Sequence, residues 1–299
     1  MSKKILILIL VVVISVLLIF LLRQTQRFAH KQNPLTGLAP IQLPHEPIGN
    51  IAPIPMRELS GAAYHPQRQT VFVVGDEGDI YEIRTDGGLI RQGYLKQTDI
   101  EGITVHPETG FLYAVVEGDE VILEIDPQTF YITRKFRVNR NLEGRELLKK
   151  GGMGLEAITF IPNAFHPEGG IFWVGNQSFS LKQGKEPSVI CEVVVPLVSS
   201  KTTLGIDKIG AKPVEGQISR FFALSIIDIS GLAYDQERQC LLVISDTTNL
   251  LQEVTLDGHV RHQYLIPGYD QEGITIDKMG FMYIAQENGE IIKLEDHRN

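Results

Sequence analysis

Glu101, Glu156 and Glu272 fill one slot of a recurring phrase, each followed by Gly or Ala and then by Ile-Thr. Ser60 and Ser230 fill the same slot in two further copies. Further along, each copy ends a second apolar run on oxygen-bearing side chains: Asp76 and Glu77, Glu117, Asn176 and Gln177, Asp246, and Gln286 and Glu287. Carboxylates held a few ångströms apart in a partly desolvated site raise one another's pKa, so a group of them needs compensation. A hard divalent cation is the economical compensator, and six to eight oxygens are what Ca²⁺ accepts. No His or Cys falls in these slots, which disfavours Zn²⁺ and its nitrogen and sulfur ligands. The candidate metal ligands are therefore Glu101, Glu156, Glu272, Glu117, Asp246, Glu287, Asp76 and Glu77. The plainer alternative is that these acids cap strand ends and accept hydrogen bonds from neighbouring amides.

The elements that position these residues are short strands. Copies begin at Leu59-Ser60-Gly61-Ala62, Ile100-Glu101-Gly102-Ile103, Leu155-Glu156-Ala157-Ile158, Ile229-Ser230-Gly231-Leu232 and Gln271-Glu272-Gly273-Ile274. Second runs follow, such as Val71-Phe72-Val73-Val74 and Leu241-Leu242-Val243-Ile244, and a third apolar run closes each unit. A period of about 40 residues built from several strands is the signature of a β-propeller blade, because one small sheet cannot bury both faces until neighbours stack on it. The fold expected is all-β, a five-bladed β-propeller, with six blades as the alternative. The innermost strand of a blade lines the tunnel and the next returns antiparallel, so strand starts and second-strand ends share one rim. The small residue recurs at positions 61, 102, 157, 231 and 273, and the wider middle intervals predict two insertions. One, residues 137–153, is compatible with a helix; the other, residues 196–224, separates the third and fourth units.

Residues 5–22 are an apolar run interrupted only by Ser15, about long enough to cross a bilayer as a helix. The following Arg23-Gln24-Thr25-Gln26-Arg27 offers no small-residue cleavage site, which predicts an uncleaved signal anchor. The domain boundaries expected are a tail at 1–4, the anchor at 5–22, a linker at 23–48 and the propeller at 49–299. Lys3 and Lys4 precede the span and Arg23, Arg27 and Lys31 follow it, so charge does not settle orientation. A short amino-terminal tail with one span is a common way to hold an exported domain, so a single-pass inner-membrane protein with a periplasmic propeller is expected.

Five of the 28 Lys and Arg and none of the 36 acids lie in the first 33 residues, which leaves the rest of the chain strongly acidic. That balance excludes a basic footprint for nucleic acid and suits a cation or a neutral ligand, such as an envelope peptide, a glycan or a small molecule. Cys191 and Cys240 sit in apolar runs without metal spacing and read as buried free thiols. His65-Pro66 and His106-Pro107 read as turn residues on the face opposite the acids. Gly75-Asp76-Glu77-Gly78-Asp79 lacks the spacing of an EF-hand loop. No Gly-x-Ser-x-Gly, phosphate-cradling or dinucleotide motif is present.

The starts Glu58-Leu59-Ser60-Gly61, Asp99-Ile100-Glu101-Gly102, Gly154-Leu155-Glu156-Ala157, Asp228-Ile229-Ser230-Gly231 and Gln271-Glu272-Gly273, with Ser245-Asp246, resemble those of the SdiA-regulated, YjiK-like family of bacterial β-propellers. The resemblance covers about residues 45–295 and the amino-terminal span. It implies a five-bladed propeller, a membrane-anchored exported domain and a bound Ca²⁺, and it implies no particular activity. Ala157 departs from the Gly of the pattern and leaves Glu156 in place. Two function classes follow: a Ca²⁺-stabilised binding module reading its ligand through the tunnel face, and a Ca²⁺-dependent hydrolase of the phytase or lactonase kind. A phosphate substrate would need Arg57, Lys96, Lys182 or Arg220 to reach in from loops.

Overall fold

The computed structural model describes residues 38–296, apart from 52–53, 57, 98, 150–152, 179–187 and 201–212. The expected anchor at 5–22 lies outside the described residues. Every regular element described is a strand. The first repeat is an antiparallel meander of Leu59–His65, Thr70–Gly75, Asp79–Arg84 and Leu89–Tyr94. The second comprises Ile100–Val105, Leu112–Val116, Val121–Ile125 and Ile132–Val138. Leu155–Pro162, Gly170–Asn176, Ser188–Val194 and Val214–Leu224 make the third. Ile229–Asp235, Cys240–Ser245, Leu250–Val254 and Val260–Leu265 make the fourth. The last repeat takes Gln271–Ile276, Met282–Gln286 and Ile291–Asp296 from the end of the chain and its outer strand, His45–Ile51, from the beginning.

That borrowed strand shifts the expected linker boundary. Residues 45–48 are part of a sheet, and Ile41–Gln42 already pairs in parallel with Val260–Leu265. Both expected insertions also change. Residues 141–146 form a two-stranded hairpin rather than a helix, because Glu143 and Gly144 adopt left-handed φ of 51° and 81°, the tight turn of a hairpin. Residues 214–224 are the outer strand of the third sheet, so that insertion lies inside a repeat. This strand pairs in parallel with Ile132–Val138, joining the second and third sheets at their rims.

Apolar residues fill the spaces between consecutive sheets. Phe72 and Ile80 meet Ile100 and Leu112, Tyr113 and Phe136 meet Phe160 and Phe172, and Trp173 meets Ile229 and Leu241. Leu242 and Ile244 meet Ile274 and Met282, and Tyr283 and Ile291 return to Leu59 and Val71. A sheet covered on both faces needs apolar side chains on both sides of its strands, which is why Thr70–Gly75 and Cys240–Ser245 are buried throughout rather than alternating.

The inner strands also touch in cyclic order, the last against the first. Their backbones run so close that a Cβ on Gly273 would stand 2.7 Å from the Ala62 nitrogen and one on Gly61 3.0 Å from the Gly102 Cα. One hydroxyl staples each neighbouring pair. In repeats that start with Ser, Ser60 Oγ donates to the Ile100 carbonyl and Ser230 Oγ to that of Gln271 at 2.6 Å. In repeats that start with Glu, a Thr three residues on accepts instead. Thr104 accepts the Phe160 amide at 3.3 Å, Thr159 the Tyr234 amide at 3.0 Å and Thr275 the Tyr64 amide at 2.9 Å. Where the first-slot residue is Glu, its side chain is therefore not the one that makes the staple.

Candidate functional site at the acidic tunnel mouth

In each repeat the register shifts between the residue before the slot and the Gly or Ala after it, leaving the slot residue as the extra residue of a β-bulge. A bulge bends the strand and re-aims one side chain, so the repeated phrase is a device for turning Ser60, Glu101, Glu156, Ser230 and Glu272 out of the sheet. Glu156 is buried, with 8 % of its surface exposed, and Glu101 and Glu272 are half-buried.

The electrostatics show which side chains are brought together. Burial and then the charges of Asp76, Glu117 and Asp99 push the Glu101 carboxyl up to about 8. Burial, Asp246, Asp228, Glu101 and Glu287 push Glu272 up to about 9. Glu156 is raised well above the usual carboxylate range by burial, by Glu101 and by its hydrogen bond with Glu117. Asp246 rises to about 6 through burial and the proximity of Asp228 and Asp270, and Asp76 rises through burial, Asp99 and Glu58. The expected residues thus share one electrostatic neighbourhood, with Glu77 and Glu287 on its exposed rim. Among the described residues, no three His, Cys, Asp or Glu side chains stand in a ready-made metal-holding group.

Two of the second-strand ends are engaged elsewhere. Asn176 Oδ1 accepts the Val189 amide at 2.6 Å, and Gln286 Oε1 accepts the Tyr269 amide at 2.9 Å. A second tier of acids enlarges the mouth instead: Glu58, Asp99, Asp228 and Asp270, each directly before one of four of the five inner strands. All four adopt left-handed φ between 51° and 58°, a conformation that Asp tolerates better than most residues. Three of them clasp their own sheet, since the carbonyls of Glu58, Asp99 and Asp270 accept the amides of Asp76, Glu117 and Glu287 at 3.0, 2.9 and 2.9 Å. The signal was present in the sequence as an acid two residues before each slot except at Gly154. At Gly154 the second repeat substitutes: Glu117 Oε1 accepts the Gly154 amide and Glu120 Oε2 the Leu155 amide, both at 3.1 Å.

The remaining residues behave as turns and core. His65 Nε2 lies 3.0 Å from the Gly110 carbonyl at the opposite end of its strand, and His106 stacks on Phe160. Cys191 and Cys240 are buried free thiols. Arg220 stands on an outer strand, bound to Glu192 and stacked on Trp173; Lys96 is exposed, and Arg57 and Lys182 lie outside the described residues.

The SdiA-regulated family model matches residues 46–291, which is most of the chain. The chain belongs to the SdiA-regulated family. No curated protein matches it. Its fold is similar to the crystal structure of Myxococcus xanthus glutaminyl cyclase, with a TM-score of 0.57 and 9 % identity over 86 % of this chain and 98 % of that one. As many as 1345 solved chains match in structure, so the propeller-like likeness speaks for the fold and not for an activity.

Proposed function

We propose that this family member is a five-bladed propeller that works as a binding module, held at the cell envelope by residues 5–22 with its propeller in the periplasm, and that its acidic tunnel mouth takes Ca²⁺. The observation that carries the reading is the bulge repeated in every inner strand, which aims Glu101, Glu156 and Glu272 into a mouth where burial and mutual repulsion raise their pKa values. The cyclic contacts of the inner strands and the between-sheet clusters support the blade count.

The donor chemistry fits a hard cation, being carboxylate oxygen throughout. Glu101, Glu156 and Glu272 would hold the ion with Glu117 and Asp246, and since no group of three stands ready, binding must draw side chains inward. Neutralised, the mouth would present an oxygen-rich surface to an envelope peptide, glycan or small molecule. Metal analysis of the purified protein, with thermal unfolding in Ca²⁺ and in chelator, tests the cation. A carboxyl-terminal reporter active only outside the cytoplasm tests the topology; a silent reporter with a bright cytoplasmic one would reverse it.

The raised carboxyls favour a second reading. Glu101 near 8 and Glu272 near 9 lie close to where a general acid or base at neutral pH must lie, which suits a Ca²⁺-dependent hydrolase. Arg220 counts against a phosphate substrate, since its guanidinium is committed to Glu192 and Leu256 far out on the sheet.

A further inference from the structure

The opposite end of the tunnel carries a cavity that the acidic mouth does not explain. Inner strands leave the tunnel there at Tyr64, Tyr234 and Ile276, and the turns that follow bring Pro66, Pro107 and Gln236 to the same space. The cavity measures about 310 Å³, at the small end of the range of small-molecule sites. A narrower space of about 130 Å³ continues from it between the inner strands and shares Pro107, Tyr234, Gln236 and Ile276 with it.

Four of the six charged groups on its wall are already matched. Arg238 is bound by both Asp235 and Asp296. Asp277 accepts the Met279 and Phe281 amides on one oxygen and the Tyr283 hydroxyl on the other. Glu237 and Lys278 remain, exposed and opposite in sign. What the wall offers is the partly exposed edges of Tyr64 and Tyr234, each packed on its other side against a core cluster, with Pro66 and Pro107 and polar groups that have capacity to spare. The Tyr64 and Tyr234 hydroxyls have no hydrogen-bond partner among the described residues, and the exposed Gln236 amide adds a donor and an acceptor. Partly exposed tyrosines and prolines beside several uncommitted hydrogen-bonding groups match a ring that is apolar on one side and hydroxylated at its edge.

We propose that this cavity is a second ligand site, on the face opposite the acids, and that it takes a neutral sugar unit. It is independent of the cation, and its failure would leave the reading of the acidic mouth untouched.

The test is saturation-transfer NMR on the full chain in a non-glycosidic detergent, with neutral hexoses and N-acetylhexosamines as probes, in Ca²⁺ and again in chelator. Binding of at least one sugar is expected under both conditions. The double variant Tyr64→Phe/Tyr234→Phe should weaken it by about tenfold, the loss of one or two hydrogen bonds. Gln236→Ala, at an exposed turn, should weaken it without altering the melting temperature and guards against a folding defect in the double variant. No transfer to any sugar, or transfer unchanged by all three substitutions, would overturn the proposal.

Discussion

Two sets of buried or half-buried glutamates recur through these sheets, and their surroundings are opposite. Glu82 and Glu124, on the third strands of their repeats, carry their own counter-charges. Arg68 and Arg91 reach Glu82 at 2.6 and 2.7 Å, with Thr70 at 2.8 Å. Glu124 is held by Arg134, Thr133 and Tyr113. Burial alone would raise both carboxyls, and these hydrogen bonds outweigh it and hold them below the usual range. Among the described residues, the charges that act on Glu101, Glu156 and Glu272 are all other acids, and the three carboxyls are raised. A protein that neutralises one set so thoroughly and leaves the other bare has the means to pair both; the bare set is where an outside charge is expected.

The largest expected effect breaks the paired set. Glu124→Ala should cost about 3–5 kcal/mol in denaturant unfolding, because it strands the Arg134 guanidinium in a largely buried place. Glu156→Gln should leave metal-free stability unchanged or raise it, since it removes a repelled carboxyl and keeps its shape. Equal and large losses from both substitutions would show that the mouth glutamates are structural caps.

Next in size is the cation. Ca²⁺ that binds only the folded chain should add about 2.7 kcal/mol at a hundredfold excess over Kd, reversed by chelation, and Glu156→Gln should weaken that response. A melting temperature indifferent to Ca²⁺ before and after the substitution would remove the metal from the reading.

The two sets also predict opposite arms of the pH profile. Glu101 and Glu272 have folded pKa values of about 8 and 9, above the roughly 4.3 of an unfolded carboxyl, so between those limits the folded state holds more protons and loses stability as pH rises. Glu82 and Glu124 are lowered, so their contribution is present above the unfolded pKa and is lost as pH falls through the folded values. In chelator the melting temperature should peak near pH 5 and decline towards pH 9, and Glu272→Gln should flatten the decline. A flat or rising limb would show that the mouth carboxyls ionise freely.

Much of this contrast can be read in the residues themselves. The slot acids stand beside Gly or Ala at the start of a strand, and a strand start is a place that periodicity can find. The second-strand ends follow from the apolar runs Val71-Phe72-Val73-Val74 and Leu241-Leu242-Val243-Ile244. The outer strands were not legible, because Leu89–Tyr94 and His45–Ile51 are mostly exposed and carry a polar pattern with no apolar run. The partner of His45–Ile51 lies at the other end of the chain, which no local pattern can encode. The 141–146 hairpin was missed because its charges and leucines suit a helix until the Glu143-Gly144 turn is considered. The second tier of acids, Glu58, Asp99, Asp228 and Asp270, does recur two residues before the slot, and what the sequence leaves unseen is the left-handed backbone they adopt.

The smallest expected effect separates the acids from the staples that leave them free. Thr275 accepts the Tyr64 amide across the join between the last repeat and the first, and Thr275→Val deprives a partly buried N–H of its partner, a loss of roughly 1–3 kcal/mol. Ser230→Ala removes a donor from the Gln271 carbonyl, which keeps a second lone pair, so roughly 0.5–1.5 kcal/mol is expected. Both staples lie in the tunnel wall, one at the mouth and one further down, and neither side chain is a carboxylate. Ca²⁺ should therefore stabilise both variants by as much as it stabilises the unaltered protein. Should Thr275→Val instead weaken the Ca²⁺ response as much as Glu156→Gln does, the ring of inner strands and the acids at its mouth would be one cooperative unit, and the division of labour between Glu-Gly-Ile-Thr and Ser-Gly starts would fall with it.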